Sequence, residues 1–512
     1  MATSLVMSPV RARLAFRASK ILQEAAVCKR CMHQQSNTKP IRDSPFLQAF
    51  RKPGHYRITP TPRHSSSAVS PSNASSSPLG ALSQTVQQAA SQQAKSSSSS
   101  SSFPKTSSKT VAYWLLGSAA SVFGIVVFGG LTRLTESGLS ITEWRPVTGS
   151  IPPMNQEHWE YEYTRYKLSP EFQMLNSHMN LEDFKFIYWM EWGHRLWGRV
   201  VGITLLLPTI YFVARRKVSK PMAWRLGGIC CLIGMQGVIG WWMVKSGLKD
   251  ELLETGNQPR VSQYRLATHL GTAFIAYTYM LWNGLAILRQ HRLLANPEQG
   301  LKALEALQSP ALKPFRRLTA ALSALVFTTA ISGALVAGLD AGMIYNDFPW
   351  MGQGILPPKR EMLDPFYSHV PDQSDLWWRN MLENPVLVQL DHRILATTTF
   401  TAIIALWGYS RFSPRVRAVL PKDAQKSMLG VVHLVSLQVI MGITTLWYLV
   451  PTPLAAAHQA GALALLSGVF LLGSRVWIPT RTLQLVKQAA ARNSSNIGKR
   501  GPDAMLAARL GK

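Results

Sequence analysis

The stretch 187–213, IYWMEWGHRLWGRVVGITLLLPTIYFV, is apolar over its length yet carries Glu191, His194, Arg195 and Arg199 in its first half. A helix rising 1.5 Å per residue needs about 20 residues to cross roughly 30 Å of hydrocarbon, so this run reads as a membrane span. Ionisable groups inside a span are costly unless they meet a partner, and they mark function by default. Three further apolar runs place a histidine equally early: His269 in ATHL, His392 in LDHR and His458 in AHQA.

Eight such runs are present, centred within 111–131, 187–213, 223–244, 266–288, 318–338, 386–409, 428–450 and 454–476. The fold class expected is therefore all-α, an integral membrane protein of eight transmembrane helices. Arg215, Arg216, Lys217, Lys220 and Arg225 follow the second run. Arg411, Arg415, Arg417, Lys422 and Lys426 follow the sixth. The loops after runs one and five are instead acidic, with Glu136, Glu143, Glu157, Glu160 and Glu162, then Asp340, Asp347, Glu361, Asp364, Asp372 and Asp375. Basic loops stay on the inner side, so both termini are expected there and all four histidines at one depth near the outer face. The pattern also repeats. His194 and His392 are 198 residues apart (392 − 194), His269 and His458 are 189 apart (458 − 269), and Gln236 and Gln438 are 202 apart (438 − 236). An even number of spans per copy keeps the copies parallel, which predicts two tandem four-helix bundles, 111–290 and 315–478, related by a pseudo-two-fold axis along the membrane normal.

A mean hydropathy of +0.04 hides this membrane character by averaging the spans with a polar leader. Residues 1–64 hold only Glu24 and Asp43 against recurring Arg and Lys, the composition of a mitochondrial transit peptide. Residues 65–110 are Ser-rich and read as a disordered linker, and 479–512 as a basic tail on the matrix side. The net charge of +28 lies in the leader and in alternate loops, so it sets topology and implies no nucleic-acid partner. Cys28 and Cys31 fall in the leader and Cys230 and Cys231 inside a span, which predicts neither zinc nor disulfides.

Two histidines on facing helices, His194 with His269 and His392 with His458, leave a metal with two protein ligands. Zinc wants four N or S donors. Copper favours added sulfur, and Met190 supplies it beside only one pair. Haem needs two axial ligands and an apolar slot, and it fits best. His433 stands apart and is assigned to packing or a local hydrogen bond. The copies differ where Glu191 precedes His194 by three positions and Gln389 precedes His392, so a proton-handling carboxylate belongs to the first half alone. Arg195 and Arg393 are free to reach haem propionates or loop carboxylates, or to snorkel to the interface.

The run GGLTRLTESGLSITEWRPVTGSIPP from Gly129, with EWGHRLWGR, LDHR and AHQ, closely resembles haem A synthase of the mitochondrial and proteobacterial type, from about Val111 to Val476. The resemblance implies an oxidoreductase of the mitochondrial inner membrane that serves cytochrome c oxidase assembly. It would convert the C8 methyl group of haem O to the formyl group of haem A by successive hydroxylations and loss of water. It further implies haem O as substrate on His194 and His269, Glu191 as the catalytic carboxylate, a haem b cofactor on His392 and His458, and a matrix ferredoxin as redox partner. The first outer loop lacks the cysteine pair of some bacterial members, which removes a thiol route for electrons. Without the resemblance, the residues lead to a two-haem membrane cytochrome, compatible with a homo-oligomer. The competing functions are a di-haem b electron carrier, which the level ligands disfavour, and a haem-handling assembly protein, which would not need Glu191.

Overall fold

A computed structural model of the protein describes residues 103–255 and 259–499; the leader, Cys28, Cys31 and most of the Ser-rich stretch lie outside the described residues. Regular structure among these residues is helical, apart from an isolated bridge between Met351 and Gly354. Eight helices have 25 residues or more: α1 (Lys109–Leu134), α2 (Leu181–Ala214), α3 (Lys220–Val244), α4 (Gln263–Ala295), α5 (Leu312–Gly338), α6 (Pro385–Phe412), α7 (Lys422–Trp447) and α8 (Thr452–Val476). Six of them, all but α4 and α6, contain a stretch long and apolar enough to cross a membrane. The other two carry more polar side chains, and for α4 the reason is position. It packs on α1, α3, α5 and α8, burying Thr278 and Asn283 among protein rather than lipid.

Packing follows the same order in each half of the chain. Helix α1 lies against α2 and α4, and α3 closes the ring against the same two; α5 lies against α6 and α8, and α7 closes that ring. Between the rings α4 meets α5, α8 meets α1, and α4 meets α8. The α1–α4 crossing is close because Gly284 has no side chain: a β-carbon there would sit 2.8 Å from Leu116 and 3.2 Å from the Ala112 carbonyl. Across the rings Tyr277 pairs with Ser467 at 2.7 Å, Arg133 with Asp340 at 2.8 Å, and Gln459 donates to the Val126 carbonyl at 3.0 Å.

Pro208 stands inside α2, where its missing N–H leaves the Thr204 carbonyl without a helical donor. The indole N–H of Trp114 on α1 donates to that carbonyl at 3.1 Å, restoring the bond that hydrocarbon would not supply.

Helix α2 starts at Leu181, six residues before the apolar run does. Asn180 caps it, accepting from the Asp183 N–H at 2.9 Å. Its first turns leave the bundle and bury Phe184, Ile187 and Tyr188 with Tyr166 in an aromatic lobe, built with the short helices Gln156–Lys167 and Pro170–Met174. The ends of the chain also depart from expectation. Phe103 packs against the core, Ser107 is buried, and the Ser108 N–H donates to the Lys217 carbonyl at 2.8 Å, so the last residues of the expected linker are tied to the α2–α3 loop. The basic tail begins as a helix, Thr480–Lys499, packed on the helix Pro297–Leu307.

Candidate functional site

The four histidines sit on the even-numbered helices and are brought together in pairs, His194 near His269 and His392 near His458. No set of three or more His, Cys, Asp or Glu side chains converges among the described residues. Each of the four histidines is half-buried. His433 is elsewhere, exposed on α7.

Each imidazole rests on a glycine of the preceding helix. A β-carbon on Gly129 would lie 2.7 Å from His194 Cε1, on Gly240 3.3 Å from His269 Cε1, on Gly333 3.1 Å from His392 Cε1, and on Gly442 2.9 Å from His458 Cε1. All four glycines stand four or five residues before the end of their helix. That places the rings about 7 Å, at 1.5 Å per residue, inside those helix ends.

The outer ring nitrogens are held unequally. Ser332 Oγ lies 2.7 Å from His392 Nδ1, and the Gln236 amide lies 2.9 Å from His269 Nδ1. His194 Nδ1 and His458 Nδ1 are buried with no partner, although Gln438 reaches the His458 carbonyl at 2.8 Å. No hydrogen bond engages Nε2 of any of the four among the described residues. Two paired imidazoles whose Nε2 atoms make no hydrogen bond, each seated against a helix glycine, fit a haem, which needs two protein donors.

Glu191 is 3% exposed, and its four contacts are all donors. Oε2 accepts from Ser140 Oγ (2.7 Å) and the Ile141 N–H (2.8 Å), while Oε1 accepts from Arg195 Nε (3.0 Å) and Nη2 (2.6 Å). Arg195 in turn donates to the carbonyls of Ile141 and Glu143, and Arg199 to those of Arg145 and Pro146. The segment SITEWRP is thereby strapped to α2. The second half repeats the strap without a carboxylate. Gln389 Nε2 and Arg393 Nη2 each donate to the Tyr345 carbonyl at 2.9 Å, and Arg393 Nη1 donates to that of Trp350. Both arginines thus hold loop backbone, and neither snorkels.

A cleft of about 310 Å³ opens beside this strap, lined by Glu143, Arg145, His158, Glu162, Arg195 and Arg199. Nearby in the lobe Glu171 is buried and accepts from Tyr166 Oη at 3.2 Å; burial pushes its carboxyl up to about 8.

The pairing of His194 with His269 and of His392 with His458 was expected from the sequence, and the structure brings each pair together. The glycine seats, Ser332 and the Ser140–Ile141 end of the strap were not expected, although Gly129 and Gly333 (333 − 129 = 204) and Gly240 and Gly442 (442 − 240 = 202) keep the frame already set by Gln236 and Gln438.

Comparison with known proteins places this geometry in context. The COX15-CtaA family, described as cytochrome oxidase assembly protein, matches residues 112–470. The chain is 52% identical over 381 residues to "Heme A synthase COX15" of Saccharomyces cerevisiae, covering 74% of this chain and 78% of that one. It is 51% identical over 376 residues to "Heme A synthase-mitochondrial ferredoxin fusion protein" of Schizosaccharomyces pombe, covering 73% of this chain and 61% of the fusion. Against "Heme A synthase COX15" of Homo sapiens the identity is 44% over 368 residues, covering 72% and 83%.

Proposed function

Since the chain belongs to the COX15-CtaA family of cytochrome oxidase assembly proteins, we propose that it is a haem A synthase, an oxidoreductase that converts the C8 methyl group of haem O to the formyl group of haem A. It is a multi-pass protein of the mitochondrial inner membrane. All eight long helices cross the bilayer, as two four-helix bundles related by a pseudo-two-fold axis. The matching rings of helix contacts, exchanged α1 for α5 and α4 for α8, support this arrangement. Both termini face the matrix.

His194 and His269 hold the substrate haem O, and His392 and His458 a resident haem b. When bound, the haem b supplies one-electron transfer toward the substrate half. Glu191 takes or delivers protons beside the substrate. Ser140, Ile141 and Arg195 orient it, and the Arg195 cleft links it to water at the outer face. The Schizosaccharomyces pombe relative is a fusion with a mitochondrial ferredoxin, which supports a matrix ferredoxin as the electron donor.

The observation that carries this reading is the four glycine-seated imidazoles with free Nε2 atoms, duplicated with Glu191 in one copy and Gln389 in the other. The test is substitution of each histidine, followed by haem extraction from purified protein and from membranes. His392→Ala and His458→Ala should abolish the haem b spectrum, because loss of one axial ligand opens a site built for two. His194→Ala and His269→Ala should keep haem b and stop haem A formation. Equal loss of haem b in all four variants would overturn the division between the halves.

A further inference from the structure

Ser332 and Gly333 grip His392 together, the glycine under Cε1 and the hydroxyl against Nδ1. A serine hydroxyl has one proton to give, and Ser332 donates it to the Thr329 carbonyl at 2.7 Å, one helical turn back. Toward His392 it has only lone pairs to offer. Nδ1 therefore carries the ring proton, and Nε2 is left as the lone-pair donor that an iron requires. Ser332 is 8% exposed, so water does not compete for these bonds.

At the matching place in the first half, 204 residues earlier (332 − 128), stands Phe128. Its ring stacks on His194, with centroids 6.4 Å apart and planes 18° from parallel. A phenyl ring accepts no such hydrogen bond, and His194 Nδ1 is left buried without a partner. In the substrate half the Nδ1 contact goes to His269 instead, where the Gln236 amide lies 2.9 Å away, and in the cofactor half His458 Nδ1 is likewise without a partner.

We propose that the residue before the seating glycine sets how His392 and His194, the equivalent ligands of the two halves, are held. Ser332 is a positioning residue that locks the tautomer and ring plane of His392 in the cofactor half. Phe128 offers His194, the ligand beside Glu191, a stacked ring and no acceptor, so its tautomer is not fixed. This rests on the assignment of haem b to the second half, and it fixes one ligand of the resident group while the equivalent ligand of the departing substrate stays unfixed.

The test uses full-length protein purified with its haem b. Ser332→Ala should change the low-spin ferric EPR signal and raise the midpoint potential, because the ring loses the acceptor that made it a stronger donor. Transfer of haem b to apomyoglobin should quicken on the order of 10-fold. Ser332→Thr keeps a hydroxyl that bonds back to the same turn and should restore the EPR signal and the potential together. Phe128→Ser should leave haem b unchanged and raise the haem O and haem A that copurify. Wild-type EPR signal, potential and haem transfer in Ser332→Ala would overturn the lock. Unchanged haem O and haem A content in Phe128→Ser would overturn its counterpart in the first half. Retention of the haem b spectrum by His392→Ala would instead sink the underlying site assignment.

Discussion

At Glu191 the two halves of the molecule differ by a charge within a shared frame. Gln389 performs the same strapping of an outer loop with one donated hydrogen bond, so holding the loop does not by itself call for a carboxylate. Glu191→Gln should fold and keep haem b, while haem A formed per haem b falls on the order of 10²-fold, the usual worth of a general acid or base. Arg195→Lys keeps the charge and loses the two-pronged donor. If it reduced turnover as far as Glu191→Gln, loop placement would account for both, and a near wild-type yield from Glu191→Gln would make Glu191 a strut alone. Glu171 carries a separate expectation. Its folded-state carboxyl, near 8, lies above the ordinary value of 4.5, so the fold binds this proton more tightly than the unfolded chain does. That contribution is complete below the unfolded value and is lost as pH rises through the folded one. Protease resistance of the lobe around Gln156–Met174 should therefore fall between about pH 5 and 9, and Glu171→Gln, permanently neutral, should flatten the profile. An unchanged profile in that variant would assign the pH dependence to another group.

Among the elements, apolar length alone located all eight long helices to within a few residues at most ends. What it did not reveal was where a helix continues past the hydrocarbon. Helix α2 runs outward to Leu181 because Phe184 and Tyr188 find an aromatic lobe to pack in, and that lobe is assembled from a loop whose own sequence reads as polar. Helix α4 is more polar than its neighbours because Thr278 and Asn283 face protein. The Trp114–Pro208 relation was also invisible, because it joins residues 94 positions apart (208 − 114) through the Thr204 carbonyl. Trp114→Phe keeps the ring and removes only the donor. It should lower stability by about 1 kcal/mol, the net worth of one hydrogen bond, read as an earlier thermal loss of the haem b spectrum in detergent. Pairing it with Pro208→Ala, which returns a helical N–H to Thr204, should recover most of that loss. No recovery in the double variant would mean that Trp114 acts through packing against Phe212 instead.

For the whole molecule, duplication is what made the site readable. Four histidines recurring in one frame picked out their partners before any contact was known, whereas glycines, being common in membrane helices, carried no signal until their distances to Cε1 were known. The same duplication ties the site to topology. The glycine seats lie near the C-terminal ends of α1, α3, α5 and α7, so all four rings share a level only if those ends share a face. That face also carries the lobe, the Arg195 cleft and the second strapped loop, while Arg289, Arg475 and Asp423 join the opposite ends of α4, α8 and α7. Basic residues concentrate at those opposite ends, which supports the proposal that they face the matrix. A tag fused after Lys512 should accordingly resist protease in sealed mitoplasts, and a cleavage site engineered beside Asp364 should be cut. Detergent should then expose the tag. Cleavage of the tag in sealed mitoplasts, with the Asp364 site protected, would invert the molecule, put Glu191 and its cleft on the matrix side, and direct the proton chemistry to the opposite compartment.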